Sequence, residues 1–310
     1  MSGAPSRPAD GAAGDARRVT PGLLRTIPLP ALDPGGDKES RGRVLVVGGS
    51  ALVPGAVLLA GVAALRAGAG KLQLATVRDA AIPLGLAVPE ALVAPLPAGA
   101  DGEIAGAEAA EALGTYAEGA DAVLVGPGIS DKGAAGALVA GLVPRLGDRA
   151  VLVVDGAAVT ALKDRPDLLR PLGGRALATP HAGEMASAFG VDKREVDGDP
   201  PGTARRAAER WGAAVALKGA DTFIAAPGGA LYHFGGGNAG LGTSGSGDTL
   251  SGIAAGLAAR GAAAATAGVW AVWAHGTAGE RLAARMAPVG YLARELLAEV
   301  PALVGRGGDA

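Results

Sequence analysis

The run Thr243-Ser244-Gly245-Ser246-Gly247-Asp248-Thr249-Leu250-Ser251-Gly252 leads directly into the helical spacing of Leu250, Ile253, Ala254 and Leu257. Glycine lets a backbone approach a phosphate closely, and the first free N–H groups of a helix point at an anion with the positive end of the helix dipole behind them. Asp248 sits where that anion would arrive. A carboxylate there can cap the helix, or it can take a proton from a hydroxyl as that hydroxyl attacks phosphorus. Small polar residues ahead of a helix are also what a plain N-cap looks like, so the motif needs support from the rest of the chain.

Four other polar groups interrupt apolar segments: Gly126-Pro127-Gly128, Asp155-Gly156, Thr179-Pro180-His181-Ala182-Gly183-Glu184, and Lys218-Gly219-Ala220-Asp221-Thr222. Each alone has a bland explanation, as a turn, a helix cap at His181 or a solvated edge charge at Lys218. The elements that carry them change that. Residues 43–47 are a β-branched run ending in Gly48-Gly49, and residues 54–66 read as a helix with Pro54 near its first turn. Strands over 71–76, 122–126, 150–155 and 175–179 alternate with helices over 134–146, 157–162 and 182–189. That order predicts a parallel sheet covered on both faces. Segments 213–218, 222–226 and 230–234 have no long helices between them and predict antiparallel pairing at one sheet edge, after which helices over 246–260, 263–286 and 289–300 close the chain. Ligands of such sheets bind beyond the carboxyl ends of the strands. The four polar groups therefore share one rim, and a common site explains glycine, acid, base and cation on one face better than independent turns do.

Composition narrows the function. The 310 residues show no internal repeat and no composition break after the start, which predicts a single main domain at 39–304, preceded by an unordered arm over 1–38 and followed by a flexible tail over 305–310. Hydrophobic residues make up 49% but aromatics only 3%, so helix contacts must be close and built from small side chains. A net charge of −2, with no basic run, argues against a nucleic-acid partner. With no cysteine, thiolate metal sites are excluded, and His181, His233 and His275 lie far apart. Magnesium arriving with phosphate is the expected metal. The start lacks the apolar core of a signal peptide, and the apolar stretch 261–274 is shorter than the about 20 residues that span a bilayer. A cytoplasmic protein with no membrane partner is expected.

These blocks together resemble the ribokinase-like superfamily and, within it, the ADP-dependent NAD(P)H-hydrate dehydratases. The resemblance covers residues 42–303 and adds Val46-Val47-Gly48-Gly49-Ser50, Pro54-Gly55-Ala56, Leu65-Arg66-Ala67-Gly68-Ala69-Gly70, Pro89-Glu90-Ala91, Gly237-Asn238 and His275-Gly276 to the motifs above. It implies a three-layer ribokinase-like α/β fold: a mostly parallel sheet, helices on both faces and antiparallel edge strands. Three departures stand out. Asp37-Lys38-Glu39 replaces the usual His-Lys-Gly, Ser244-Gly245-Ser246-Gly247-Asp248 replaces Gly-Gly-Thr-Gly-Asp, and Asp155-Gly156-Ala157 keeps only the first acid of Asp-Ala-Asp.

The resemblance implies a hydro-lyase that repairs hydrated NADH or NADPH, converting ADP, its co-substrate, to AMP and phosphate with Mg2+. On it, Asp248, Gly247 and Gly245 would be catalytic, and Lys218, Gly219, Ala220, Asp221 and Thr222, with Gly247, would bind ADP or AMP. Ala56, Gly128, His181 and Asp248 would contact the hydrated dinucleotide, and Asn238 and Glu184 would order phosphate or magnesium; no residue is assigned as a direct metal ligand. A helix N-terminus lowers a carboxylate's pKa while nearby phosphate raises it, so Asp248 as a base carries a built-in tension. A homo-oligomer, a homotetramer by resemblance, and a separate epimerase are the implied partners, since no epimerase domain precedes the match. A small-molecule kinase of the same fold, such as a hydroxyethylthiazole or pyridoxal kinase, and a non-catalytic nucleotide sensor are the alternatives.

Overall fold

The computed structural model describes residues 15–33 and 35–305. Ten strands form one sheet: β1 (Arg17–Arg18), β2 (Arg43–Val47), β3 (Lys71–Val77), β4 (Ala91–Leu96), β5 (Ala122–Val125), β6 (Val151–Val154), β7 (Ala176–Ala178), β8 (Ala214–Leu217), β9 (Thr222–Ala225) and β10 (Leu231–Phe234). Their order is β1-β10-β9-β8-β7-β6-β5-β2-β3-β4. From β4 to β8 every pairing is parallel, and β8-β9-β10 pair antiparallel, as expected from the sequence.

Successive residues of a strand point to opposite faces, and here both faces are dry. Val44 and Val46 of β2 join one apolar core, while Leu45 and Val47 join the other. The first core lies under the helices Gly55–Arg66, Ser246–Ala259, Ala264–Arg285 and Ala293–Gly305. The second lies under Gly106–Ala112, Lys132–Leu142, Ala182–Phe189 and Pro200–Trp211. The result is the three-layer arrangement that the alternating pattern predicts. Among the described residues no helix is long and apolar enough to cross a membrane.

The scarcity of aromatics finds its structural counterpart in one helix crossing. Gly252 and Gly256 of the Ser246–Ala259 helix lie against Ala60 and Ala64 of the Gly55–Arg66 helix, so closely that a methyl on either glycine would collide with the Ala60 or Ala64 carbonyl oxygen. Backbone cannot yield as a flexible side chain can. That crossing fixes where the Ser246–Ala259 helix begins, and its beginning carries the glycine motif.

Two parts of the sheet depart from the sequence expectation. The expected unordered arm is corrected over residues 15–33 and 35–38, which belong to the described fold. β1 pairs parallel with β10, Val19 N–H donates to the His233 carbonyl at 2.8 Å, and Thr20 caps the Pro21–Thr26 helix, whose Leu24 is fully buried. The Trp270 indole N–H reaches back to the Ile27 carbonyl at 2.8 Å. The remainder of that arm and residues 306–310 lie outside the described residues. β4, unread in the sequence beyond its Pro89-Glu90-Ala91 lead-in, forms the opposite edge, where Pro95 is tolerated because an edge strand has one unpaired side.

Two outcomes follow for stability. Gly252→Ala should cost about 1–3 kcal/mol through overpacking against backbone, read as a lowered midpoint in denaturant unfolding. A chain starting at residue 21 should be less stable than one starting at residue 15 by on the order of 2 kcal/mol, from the lost Thr20 cap and buried Val19. Equal midpoints would show that β1 is not part of the stable fold.

Candidate active site

Strand order brings the polar rim together. Asp155, Thr179 and Lys218 immediately follow β6, β7 and β8, which are neighbours in the sheet. The Thr179 hydroxyl donates to Asp155 Oδ1 at 2.9 Å, and the Lys218 ammonium donates to the same oxygen at 3.0 Å. Lys218 N–H also donates to the Pro180 carbonyl at 2.8 Å, which ties the β8 end to the segment after β7. Asp155 is 4% exposed and Thr179 1%. Lys218 is thus no solvated edge charge: Glu184 Oε2 stands 4.0 Å from its Nζ as a second partner.

The glycine motif meets this cluster. Gly245 takes the left-handed conformation, φ 86°, at the N-cap of the Ser246–Ala259 helix, and a Cβ there would lie 2.5 Å from Leu59 Cδ1. No side chain caps that helix, and among the described residues the Gly247 and Asp248 N–H groups have no protein acceptor. A Cβ on Gly247 would stand 3.3 Å from Lys218 Nζ and 3.9 Å from Asp155 Oδ2, so glycine keeps the ammonium next to two free amides. Ammonium, free amides and helix dipole converge on one spot, which is the composition of a phosphate site.

Three carboxylates surround the single ammonium. Burial alone would lower the Lys218 pKa, but Asp155, Glu184 and Asp248 outweigh it and hold the ammonium above its ordinary range, hence charged. Asp248 is pushed up to about 6, first by burial, then by the charge of Asp155, with Lys218 opposing and Glu184 adding to the rise. Burial and carboxylate repulsion therefore outweigh the attraction of Lys218. The carboxyl is poised to exchange a proton near neutrality.

A cavity of about 710 Å³ opens beside the motif, lined by Lys218, Gly219, Ala220 and Thr222 on one wall and by Ser246, Gly247 and His275 on another. That volume suits a nucleotide-sized ligand. Asp221 turns away from it and bonds His233 Nε2 at 2.7 Å, bracing the turn between β8 and β9. Asp248 and Gly245 stand beside the cavity and do not line it. Ala56 and Gly128 also lie outside it: they meet each other, a Cβ on Gly128 being 2.9 Å from Ala56 Cβ, and Ala56 is 4% exposed. They sit at the start of the Gly55–Arg66 helix, one turn from the Leu59 that touches Gly245.

His181 and Glu184 form a capping box on the Ala182–Phe189 helix. His181 Nδ1 accepts from the Gly183 and Glu184 amides at 3.0 and 3.2 Å, while Glu184 Oε2 accepts from His181 N–H at 2.8 Å. Nε2 stands 3.3 Å from Glu184 Oε1, and His181 lines the cavity. Asn238, expected to help order phosphate or magnesium, lines the cavity as well. Its Oδ1 already accepts from Gly240 N–H at 2.9 Å and from the Tyr291 hydroxyl at 2.8 Å, and its Nδ2 is sealed from solvent without a partner. Asn238 braces the loop after β10. Sequence reasoning missed the Ser246–His275 contact at 2.9 Å, because the two residues are brought together only by the packing of their helices.

Comparison with known proteins agrees with this geometry. The model of the NAD(P)H-hydrate dehydratase family matches residues 44–302. An ADP-dependent (S)-NAD(P)H-hydrate dehydratase of Xanthomonas campestris is 51% identical over 94% of this chain and 96% of its own length. A bifunctional NAD(P)H-hydrate repair enzyme of Moorella thermoacetica is 37% identical over 88% of this chain, which spans 51% of that longer protein. Among solved structures, a ribokinase-like superfamily protein of Enterococcus faecalis superposes with a TM-score of 0.80 at 25% identity, over 96% of this chain and 98% of that one. An ADP/ATP-dependent NAD(P)H-hydrate dehydratase of Bacillus subtilis, crystallised with ATP and Mg2+, gives 0.77 at 26% identity, over 94% of this chain and 99% of that one. With a ribokinase-like sheet, an uncapped glycine helix start and a family match from residue 44 to residue 302, the chain belongs to the NAD(P)H-hydrate dehydratase family.

Proposed function

We propose that the protein dehydrates the (6S) hydrate of NADH or NADPH back to the reduced dinucleotide, with ADP converted to AMP and phosphate. The observation that carries this is Asp248 at the start of the Ser246–Ala259 helix, beside the cavity and within the charges of Asp155, Lys218 and Glu184. Lys218, Gly219, Ala220, Thr222 and Gly247 line that cavity, while Gly245 packs on Leu59, one turn from the Ala56–Gly128 contact. ADP fits the cavity, its terminal phosphate against Lys218 and the free amides. The hydrated ring is assigned to the side of Ala56 and Gly128 by resemblance.

Water is a poor leaving group at neutral pH, and a phosphate ester is a good one. Asp248 takes the C6 hydroxyl proton as the hydroxyl oxygen bonds to the β-phosphorus, and the bond from that phosphorus to the bridging oxygen breaks to release AMP. The ring nitrogen's lone pair then expels phosphate from C6, and loss of a proton from C5 restores the reduced ring. The Gly247 and Asp248 amides stabilise charge growing on the transferred group, and Lys218 anchors it. His181, its Nδ1 held by the cap and its Nε2 beside Glu184 Oε1, lines the cavity where a ligand would compete with that carboxylate for Nε2.

Magnesium fits as a cation carried by the phosphates. Among the described residues no three His, Asp or Glu side chains gather to hold a metal alone, yet the rim sets three carboxylates against one ammonium and needs added positive charge before an anion binds. Glu184 is the oxygen donor that would face such a cation, whose chemistry is to neutralise phosphate charge. The curated relatives support ADP as the co-substrate, and 51% identity to a dehydratase favours this reading over a small-molecule kinase. A separate epimerase would supply the activity that the longer bifunctional relatives have in their other half. A homotetramer and a cytoplasmic location remain parts of this proposal by resemblance.

Asp248→Asn should fold, bind ADP and lose about 10²-fold or more in single-turnover phosphate release. In the wild type, kcat/KM should fall as pH drops through about 6, because Asp248 must be ionised to act as base. Stability has the opposite sign. A carboxyl with a raised folded pKa contributes stability at low pH that is lost as pH rises through 6, so the Asn variant should melt no lower than wild type at pH 8. A variant that keeps its rate would remove the catalytic role.

A further inference from the structure

Ser246 Oγ and His275 Nε2 stand 2.9 Å apart, and both residues line the cavity. Ser246 opens the Ser246–Ala259 helix and is 4% exposed. Its N–H is already spent on the Thr243 carbonyl at 3.2 Å, so its hydroxyl is the donor left for a ligand. His275 reaches it from the middle of the Ala264–Arg285 helix, beside Gly276, where a side chain would collide with the Phe234 ring. Burial first, then the Lys218 charge, pushes the His275 pKa down to about 4 against a hydrogen bond with the Ser246 backbone, so the ring is neutral wherever Asp248 is ionised. A neutral imidazole carries one N–H, and where that proton sits decides what the serine can do.

We propose that His275 is a positioning residue of the nucleotide site: its Nε2–H donates to the Ser246 oxygen, turning the Ser246 proton outward to a phosphate oxygen of a nucleoside diphosphate. This rests on reading the cavity as the ADP site. The opposite direction would spend the hydroxyl proton on the ring and present only lone pairs to an anion. Serine at this position, in place of threonine, lacks the methyl that restricts side-chain rotation, so an external partner is what holds its hydroxyl in one well.

The test is a double-mutant cycle on ADP affinity, measured by calorimetry with ADP and magnesium on the full chain. Ser246→Ala and His275→Phe should each weaken binding about tenfold, the scale of one hydrogen bond to a charged group. The double variant should bind no more weakly than either single, because the two side chains act as one donor. His275→Gln, which sets an amide N–H near the Nε2 position, should stay within about threefold of wild type. The KM for ADP should rise more than kcat falls. Additive losses, an unaltered Ser246→Ala, or a Gln variant as weak as Phe would overturn the proposal. If His275→Phe fails to fold, the Ser246→Ala and His275→Gln results decide alone. Gly247→Val, which sets a side chain against Lys218 Nζ, tests the cavity itself: wild-type affinity there would remove the ADP site. Lost binding in Gly247→Val, with Ser246 and His275 variants binding as wild type, would remove only the role of the pair.

Discussion

The buried ion pair between Lys218 and Asp155 ties the candidate site together. It joins the ends of β6 and β8 across the hydroxyl of Thr179, the residue after β7, and it holds the ammonium beside the start of the Ser246–Ala259 helix. Taking two charges out of water is costly, and such a pair persists only with good geometry and further hydrogen bonds. Asp155 has both, and at 3.0 Å the ammonium is in direct contact. Removing one partner of a buried pair costs about 3–5 kcal/mol because the other charge is stranded. The sheet order, the Thr179 anchor and the Gly247 gap all serve this one contact, and the helix crossing at Gly252 and Gly256 sets the helix start against it.

The same cluster decides how Asp248 behaves. A helix start and a nearby ammonium both favour the ionised carboxylate, while burial and two further carboxylates favour the neutral acid. The outcome is a rise to about 6, so burial, Asp155 and Glu184 prevail over Lys218. The carboxyl is thereby brought near neutrality by the protein's own groups, apart from the dipole and phosphate effects named from the sequence. A nucleotide brings more negative charge to the cluster, and the positive charge that accompanies it offsets that addition, which is how one carboxylate can remain basic beside a phosphate without being silenced by a proton.

Much of this was legible in the chain because its signals are local. The Gly245–Asp248 motif, the strand runs ending at Asp155, Thr179 and Lys218, and the helix over 182–189 each announce themselves within a few residues. β1 does not, since Arg17–Arg18 has no apolar run; its order comes from pairing with β10 and from Arg17 over the Tyr232 ring, 5.4 Å from its centroid. The Pro200–Trp211 helix, capped by Asp199 and opened by prolines, carries its apolar face in spaced alanines that read weakly as a core. Asn238 illustrates a different blind spot. Its neighbour Gly237 marks it as special, but only the fold shows that its Oδ1 accepts from the hydroxyl of Tyr291, 53 residues on.

The most direct test is a stoichiometry. Chemically hydrated NADH is incubated with the protein, magnesium and ADP, and reduced nicotinamide absorbance, AMP and inorganic phosphate are followed together. The account predicts one AMP and one phosphate for each NADH regenerated, and no regeneration above the uncatalysed rate when ADP is left out. NADH recovery that proceeds without ADP, or that leaves ADP intact, would contradict it.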